Sequence, residues 1–130
     1  MQTPYELLGG ESGVKRLASE FYSVMNDSES AQGIRQMHGK NLGPVSEKLF
    51  MFLSGWFGGP NLYLKKYGTV CLSKPHSHYK IGPQERDQWL GCMQIALDNI
   101  GASDELKEML REPMFHLADV MCNVDEQGNA

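Results

Sequence analysis

The histidines, thiols and aromatic hydrogen-bond donors whose types and spacing could carry chemistry are few and scattered. They are His38, His76, His78 and His116, the thiols Cys71, Cys92 and Cys122, and the hydrogen-bond donors Tyr22 and Trp89. His76 and His78 flank Ser77, and residues two apart cannot share a helical face, so at most one of them can ligate any one buried centre. His38 closes a short helical stretch, where a partly positive imidazole complements the helix dipole. His116, between Phe115 and Leu117, reads as a structural or surface residue. The cysteines are odd in number and form no C-x-x-C pair, so they read as reduced, buried apolar groups, with a reactive thiol as the alternative. No P-loop, nucleophile elbow or carboxylate-histidine metal motif occurs, which leaves few ordinary routes to catalysis.

The elements that must position these groups are helices. Thr3-Pro4-Tyr5-Glu6 is a capping box with proline at the first helical position, and Gly9-Gly10 stops that short helix. Val14, Leu17, Ala18, Phe21, Val24 and Met25 recur at steps of three and four and predict an amphipathic helix from about Ser12 to Asn26. Tyr22 falls on its inward side, where the hydroxyl needs a partner. After a polar break at Asp27 to Ser30, a short helical stretch ends near Met37-His38. Gly43-Pro44 opens a helix with Val45, Leu49, Phe52, Leu53 and Trp56 as its expected buried stripe, and Gly58-Gly59-Pro60 ends it.

One more turn of helix is expected around Asn61 to Lys66. From Gly68 to Gly82 the periodicity is lost, which predicts a loop with a single turn of helix. It returns from Pro83 to Ile100, where Trp89, Met93, Ala96, Leu97 and Ile100 share a face and core packing is one reading of Trp89. Ser103 caps a last helix bearing Leu106, Leu110, Leu117, Val120, Met121 and Val124, expected to kink or split at Pro113. No segment alternates with period two, so the fold class is all-α.

With 130 residues, twelve Lys plus Arg and sixteen Asp plus Glu, the chain fits a single soluble domain, 1–130, of net charge −4. Mild acidity argues against a dedicated nucleic-acid binder, and the longest apolar run, Leu49 to Leu53, is far too short to span a bilayer. The N-terminus carries neither a basic nor an apolar targeting region, so the expected location is the cytoplasm.

Phe21-Tyr22, the block Leu53-Ser54-Gly55-Trp56-Phe57-Gly58-Gly59-Pro60, and the stretch from His76-Ser77-His78-Tyr79-Lys80-Ile81 through Glu85-Arg86-Asp87-Gln88-Trp89-Leu90-Gly91-Cys92-Met93 occur together in one order. In this the chain resembles a truncated haemoglobin of the second group, over nearly its whole length, from about Tyr5 to Val124. The resemblance implies a two-over-two helical sandwich around haem b, with His76 as the proximal iron ligand, because the family's ligand lies five residues before the isoleucine matched by Ile81. It also implies that Tyr22, His38, Val45, Leu49, Phe52 and Trp89 line the ligand side.

Tyr79 and Ile81 then fall on the proximal side, and Lys48, Lys74, Lys80 and Tyr63 become anchors for the haem propionates. Val45 occupies the place of the usual distal histidine, so hydrogen bonding to a ligand is assigned to Tyr22 and Trp89, with His38 as a third donor. The expected activity is binding of dioxygen, carbon monoxide or nitric oxide, as in oxygen transport. The alternative is peroxidase-like or nitric-oxide-consuming turnover on peroxide or reactive nitrogen species, which needs an external reductase. A third reading, a cofactor-free helical interaction module, differs in leaving the purified protein colourless.

Overall fold

The computed structural model describes residues 2–69, 76 and 79–125. Seven α-helices occur among them: α1 (Pro4–Leu8), α2 (Glu11–Asp27), α3 (Gln32–Arg35), α4 (Gly43–Trp56), α5 (Leu62–Tyr67), α6 (Pro83–Asn99) and α7 (Asp104–Val120), with a 3-10 turn, Glu29–Ala31, leading into α3. No described residue is in a strand. Helices α2 and α4 form one packed pair and α6 and α7 another, and the two pairs meet where α2 packs on α6. Two helix pairs meeting in this way form the two-over-two sandwich that the resemblance implies.

The helix boundaries follow local chemistry. Thr3 Oγ1 accepts from the Glu6 N–H at 3.2 Å and Glu6 Oε1 accepts from the Thr3 N–H at 3.0 Å, the reciprocal capping box. Gly9 and Gly10 then turn the chain with φ of 96° and 75°, left-handed values that favour glycine. The sharp turn brings α1 back on α2 so closely that a Cβ on Gly13 would collide with the Leu8 carbonyl oxygen. At the far end of α4 the buried Ser54 hydroxyl donates to the Pro60 carbonyl at 2.7 Å, which closes the glycine-rich corner.

Two expected stripes differ from the observed core. On α4, Phe52 and Leu53 are buried, but Val45, Leu49 and Trp56 are only half-buried, while Phe50 and Met51 are covered. Helix α4 packs on α2 and also on α5, so its buried arc is wider than one stripe. Val45 and Leu49, one turn apart, keep an apolar edge partly open.

On α7 the buried residues are Leu106, Leu110, Met114 and Ala118, spaced by four, and Val120 is 61% exposed. Pro113 does not split the helix. It sits on the exposed side, where the carbonyl that its missing N–H leaves unbonded can meet water.

The two kinds of helical glycine should respond oppositely to a methyl group. Gly13→Ala meets backbone and should lower stability by about 2–3 kcal/mol. Gly91→Ala meets nothing within 4 Å on an exposed face of α6, and should raise it by about 0.5–1 kcal/mol. Denaturant unfolding of the two variants measures both.

Candidate functional site

A run of four rings crosses the middle of the molecule. Phe21 on α2 is fully buried and stands edge-on to Tyr22, with ring centroids 4.9 Å apart. The same Phe21 ring lies 5.2 Å from the Trp89 indole on α6, and Tyr22 lies 5.6 Å from the His38 imidazole, again edge-on. Groups from α2, α6 and the turn after α3 therefore converge on one region. On α4 and α5, Phe52 packs on Tyr63 at 5.9 Å and Tyr63 on Tyr67 at 4.6 Å, while Val45 and Leu49 stay half-covered.

The polar ends of these rings have distinct chemistry. The Tyr22 hydroxyl and the Trp89 indole N–H make no hydrogen bond to any described residue, so both donors are available. Burial pushes the Tyr22 phenol well above its ordinary pKa, which keeps it neutral and able to donate. At His38, Nδ1 lies 2.8 Å from the Ile34 carbonyl oxygen. A carbonyl can only accept, so Nδ1 carries the proton and Nε2 of the neutral ring is a lone-pair acceptor.

Burial holds the His38 pKa below the usual histidine value. The Ile34 bond opposes that shift, and the charges of Arg35 and His76 add to it. His38 is thus an acceptor at neutral pH, not the third donor expected from the sequence. His76 stands within electrostatic reach of it.

Two residues that sequence reasoning passed over hold the His38 corner. Gln88 Oε1, next to Trp89 in the chain, accepts from the Ile34 N–H at 3.1 Å. The Ile34 peptide therefore links α6 to the His38 ring through its N–H on one side and its carbonyl on the other. Arg35 donates to Asn26 Oδ1 at 3.0 Å and to the Gly39 carbonyl at 3.0 Å, tying the same turn to α2. Neither residue carries a periodic or motif signal; only the packing of α3 on α2 and α6 brings them to this corner.

On the other side, His76 is in helical conformation and its carbonyl accepts from the Tyr79 N–H at 3.1 Å. Tyr79 and Lys80 are exposed and Ile81 is half-buried. The Lys48 Nζ is 6.0 Å from the Tyr67 ring centroid, on the exposed side of α4. Lys74, His78 and Cys71 lie outside the described residues. Cys92 is buried, and burial raises its thiol pKa, which suits the apolar role expected of it.

The bacterial-like globin family model matches residues 3–123. The chain belongs to that family, on its group II truncated branch. It is 31% identical over 107 residues to the group 2 truncated hemoglobin YjbI of Bacillus subtilis strain 168, a match covering 82% of this chain and 78% of that protein. It is 40% identical, with a TM-score of 0.89, to the cold-adapted truncated hemoglobin of the Antarctic marine bacterium Pseudoalteromonas haloplanktis TAC125, over 94% of this chain and 98% of that one. The group II 2-on-2 hemoglobin of Agrobacterium tumefaciens is 35% identical with a TM-score of 0.90, over 97% of both chains.

Globin membership implies a haem cofactor and a small gaseous ligand. The residues of this globin fit a haem: half-covered apolar side chains at Val45 and Leu49 on α4 and Trp89 on α6 and, among the described residues, no hydrogen-bond partner for the Tyr22 and Trp89 donors and no cluster of His, Cys, Asp or Glu that would hold a bare ion instead.

The His38 geometry generates a pH prediction. Its folded pKa lies below the unfolded value of about 6.5, so the unfolded chain binds the proton first; the stability contribution is complete above that value and is lost as pH falls through it. Between about pH 7 and pH 5 the thermal midpoint of the wild type should therefore fall more than that of His38→Phe, measured by circular dichroism at matched ionic strength.

Proposed function

We propose that this globin binds dioxygen and other diatomic ligands at a haem b held by His76, with Tyr22 and Trp89 as the hydrogen-bond donors on the ligand side. The observation that carries the reading is that the Tyr22 and Trp89 rings both pack on the Phe21 ring, at 4.9 and 5.2 Å, with neither polar group bonded to a described residue. When bound, the haem supplies an iron at which a diatomic ligand can coordinate.

The protein supplies the rest. A neutral phenol and an indole N–H would stabilise partial negative charge on a diatomic ligand, in a setting where water competes weakly. Each such bond contributes about 1–3 kcal/mol, or roughly ten- to hundredfold in the rate of ligand release. His38, its Nδ1 held by the Ile34 carbonyl, packs edge-on against the Tyr22 ring and restricts where that ring can swing. Val45, Leu49 and Phe52 provide the apolar wall, and Tyr79 and Ile81 continue it on the His76 side. Lys48, Lys80, Lys74 and Tyr63 serve the haem carboxylates at the rim, where an ammonium gains little from pairing in water but still orients its partner.

Ligation is tested first. His76→Gly should lose haem, or retain it in a form that added imidazole restores, while His78→Ala keeps the wild-type optical spectrum; the opposite result moves the ligand to His78. The donors are tested by stopped-flow release of dioxygen from the ferrous protein. Tyr22→Phe and Trp89→Phe should each speed release roughly ten- to hundredfold. The double variant should fall short of the product of the two, since both groups address one small ligand. Wild-type release in both single variants would reduce these side chains to packing.

A further inference from the structure

The chain just past α7 folds back onto the segment that follows His76. Asn123 Nδ2 donates to the Tyr79 carbonyl at 2.6 Å, and Asn123 Oδ1 accepts from the Ile81 N–H at 2.9 Å. The backbone N–H groups of Asn123 and Val124 donate to the Ile81 carbonyl at 2.7 and 3.2 Å. Residues 79–82 lie outside any helix, so their backbone groups need partners from elsewhere: Asn123 serves the Tyr79 carbonyl and both the N–H and the carbonyl of Ile81, while Glu85 and Arg86 serve Gly82. A side-chain amide offers donor and acceptor on one rigid plane; aspartate lacks the donor and leucine lacks both.

The other end of the segment is tied to His76 itself, whose carbonyl accepts from the Tyr79 N–H. Its exit is equally fixed. A Cβ on Gly82 would stand 3.2 Å from Val124 Cγ2, so the tail packs tightly there, and Arg86 in the first turn of α6 pairs with Asp119 in the last turn of α7 at 3.0 Å.

We infer that Asn123 is a positioning residue for the proximal histidine: its amide anchors the Tyr79–Ile81 backbone to the end of α7 and thereby sets where the His76 imidazole points. The inference rests on the reading of His76 as the haem ligand. It requires no contact between Asn123 and the cofactor. Loss of the amide leaves this segment held to the tail only through the Ile81 carbonyl, and the imidazole direction follows the backbone that carries it.

The test compares Asn123→Leu, close in shape but without polar atoms, and Asn123→Asp, which keeps only the acceptor, with Asp119→Asn, which weakens the Arg86 pair at the same helix end but leaves the amide in place. Three quantities are read: hydrogen exchange of the Ile81 amide in the cofactor-free protein, the iron–histidine stretching band of the ferrous holoprotein, and the rate of haem transfer to an excess of acceptor apoglobin. Asn123→Leu should exchange the Ile81 amide and lose haem each roughly tenfold faster, with a shifted or broadened band. Asn123→Asp should fall between it and the wild type, and Asp119→Asn should resemble the wild type.

An Ile81 amide as protected in Asn123→Leu as in the wild type would show that the anchor is not made. An unchanged band and haem transfer beside fast exchange would show that the anchor does not reach His76. Equal effects from Asp119→Asn would reduce it to fraying of α7. His76→Gly separates the two levels: if it retains the band, the ligand assignment and this inference both fall; if it abolishes the band while Asn123→Leu leaves it intact, only this inference does.

Discussion

Phe21 is the ring on which the geometry of the site depends. It is fully buried where α2 packs on α6, and it touches the Tyr22 ring on its own helix and the Trp89 indole on the other. A buried aromatic has few rotamers that avoid its neighbours, so once the two helices are packed the positions of both donors are set together. The surrounding core holds that contact: Val14, Leu17 and Met25 on α2 and Met93 and Ala96 on α6 are all essentially inaccessible. On the exposed side Arg16 donates to the Ile100 carbonyl at 2.8 Å, a polar tie between the start of α2 and the end of α6. The hydrophobic interior gives the helix pair its depth, and this contact restrains its rotation.

Irregular backbone is where a helical protein must find polar partners outside its own helices, and here two side-chain amides meet that need. Gln88 accepts from the Ile34 N–H, and the carbonyl of the same residue accepts from His38 Nδ1. Asn123 holds the Tyr79 to Ile81 backbone, which follows His76. Both amides come from elements that lie far along the chain from the segments they secure. The result is that His38 and His76, on poorly periodic stretches, are tied to α6 and α7. On the His76 side backbone bonds from Asn123 and Val124 to the Ile81 carbonyl add to the amide.

Electrostatics decides what the buried polar groups can do. Burial disfavours charge on both Tyr22 and His38, so the first remains a neutral donor and the second a neutral acceptor. The two rings meet edge-on, so neither group's charge is needed to hold the contact. The same burial makes Cys92 a poor nucleophile. The charged residues lie at the periphery, in exposed pairs such as Lys15 with Glu11 and Arg111 with Glu108, which contribute little to stability.

By itself the sequence determined the helices and their ends. Apolar spacing along α2 and α6 marked their inner faces, and Thr3, Pro4, Gly9, Pro44, Gly58, Gly59 and Ser103 marked starts and stops, because capping and turn chemistry act within a few residues. The blocks around Tyr22, Trp56 and His76 carried the family likeness and hence the expectation of haem. Tertiary structure alone decided which faces of α4 and α7 are covered, since those depend on second neighbours: α4 meets both α2 and α5, and the Leu106, Leu110, Met114 and Ala118 row of α7 is buried while Val120 is not. It also decided that His38 accepts where a donor was expected, because the tautomer follows from the Ile34 carbonyl and not from the residue type. Gln88 and Asn123 were illegible for the same reason. A hydrogen bond between residues 54 or 42 positions apart leaves no local periodicity, and exists only once the helices have brought its two ends together.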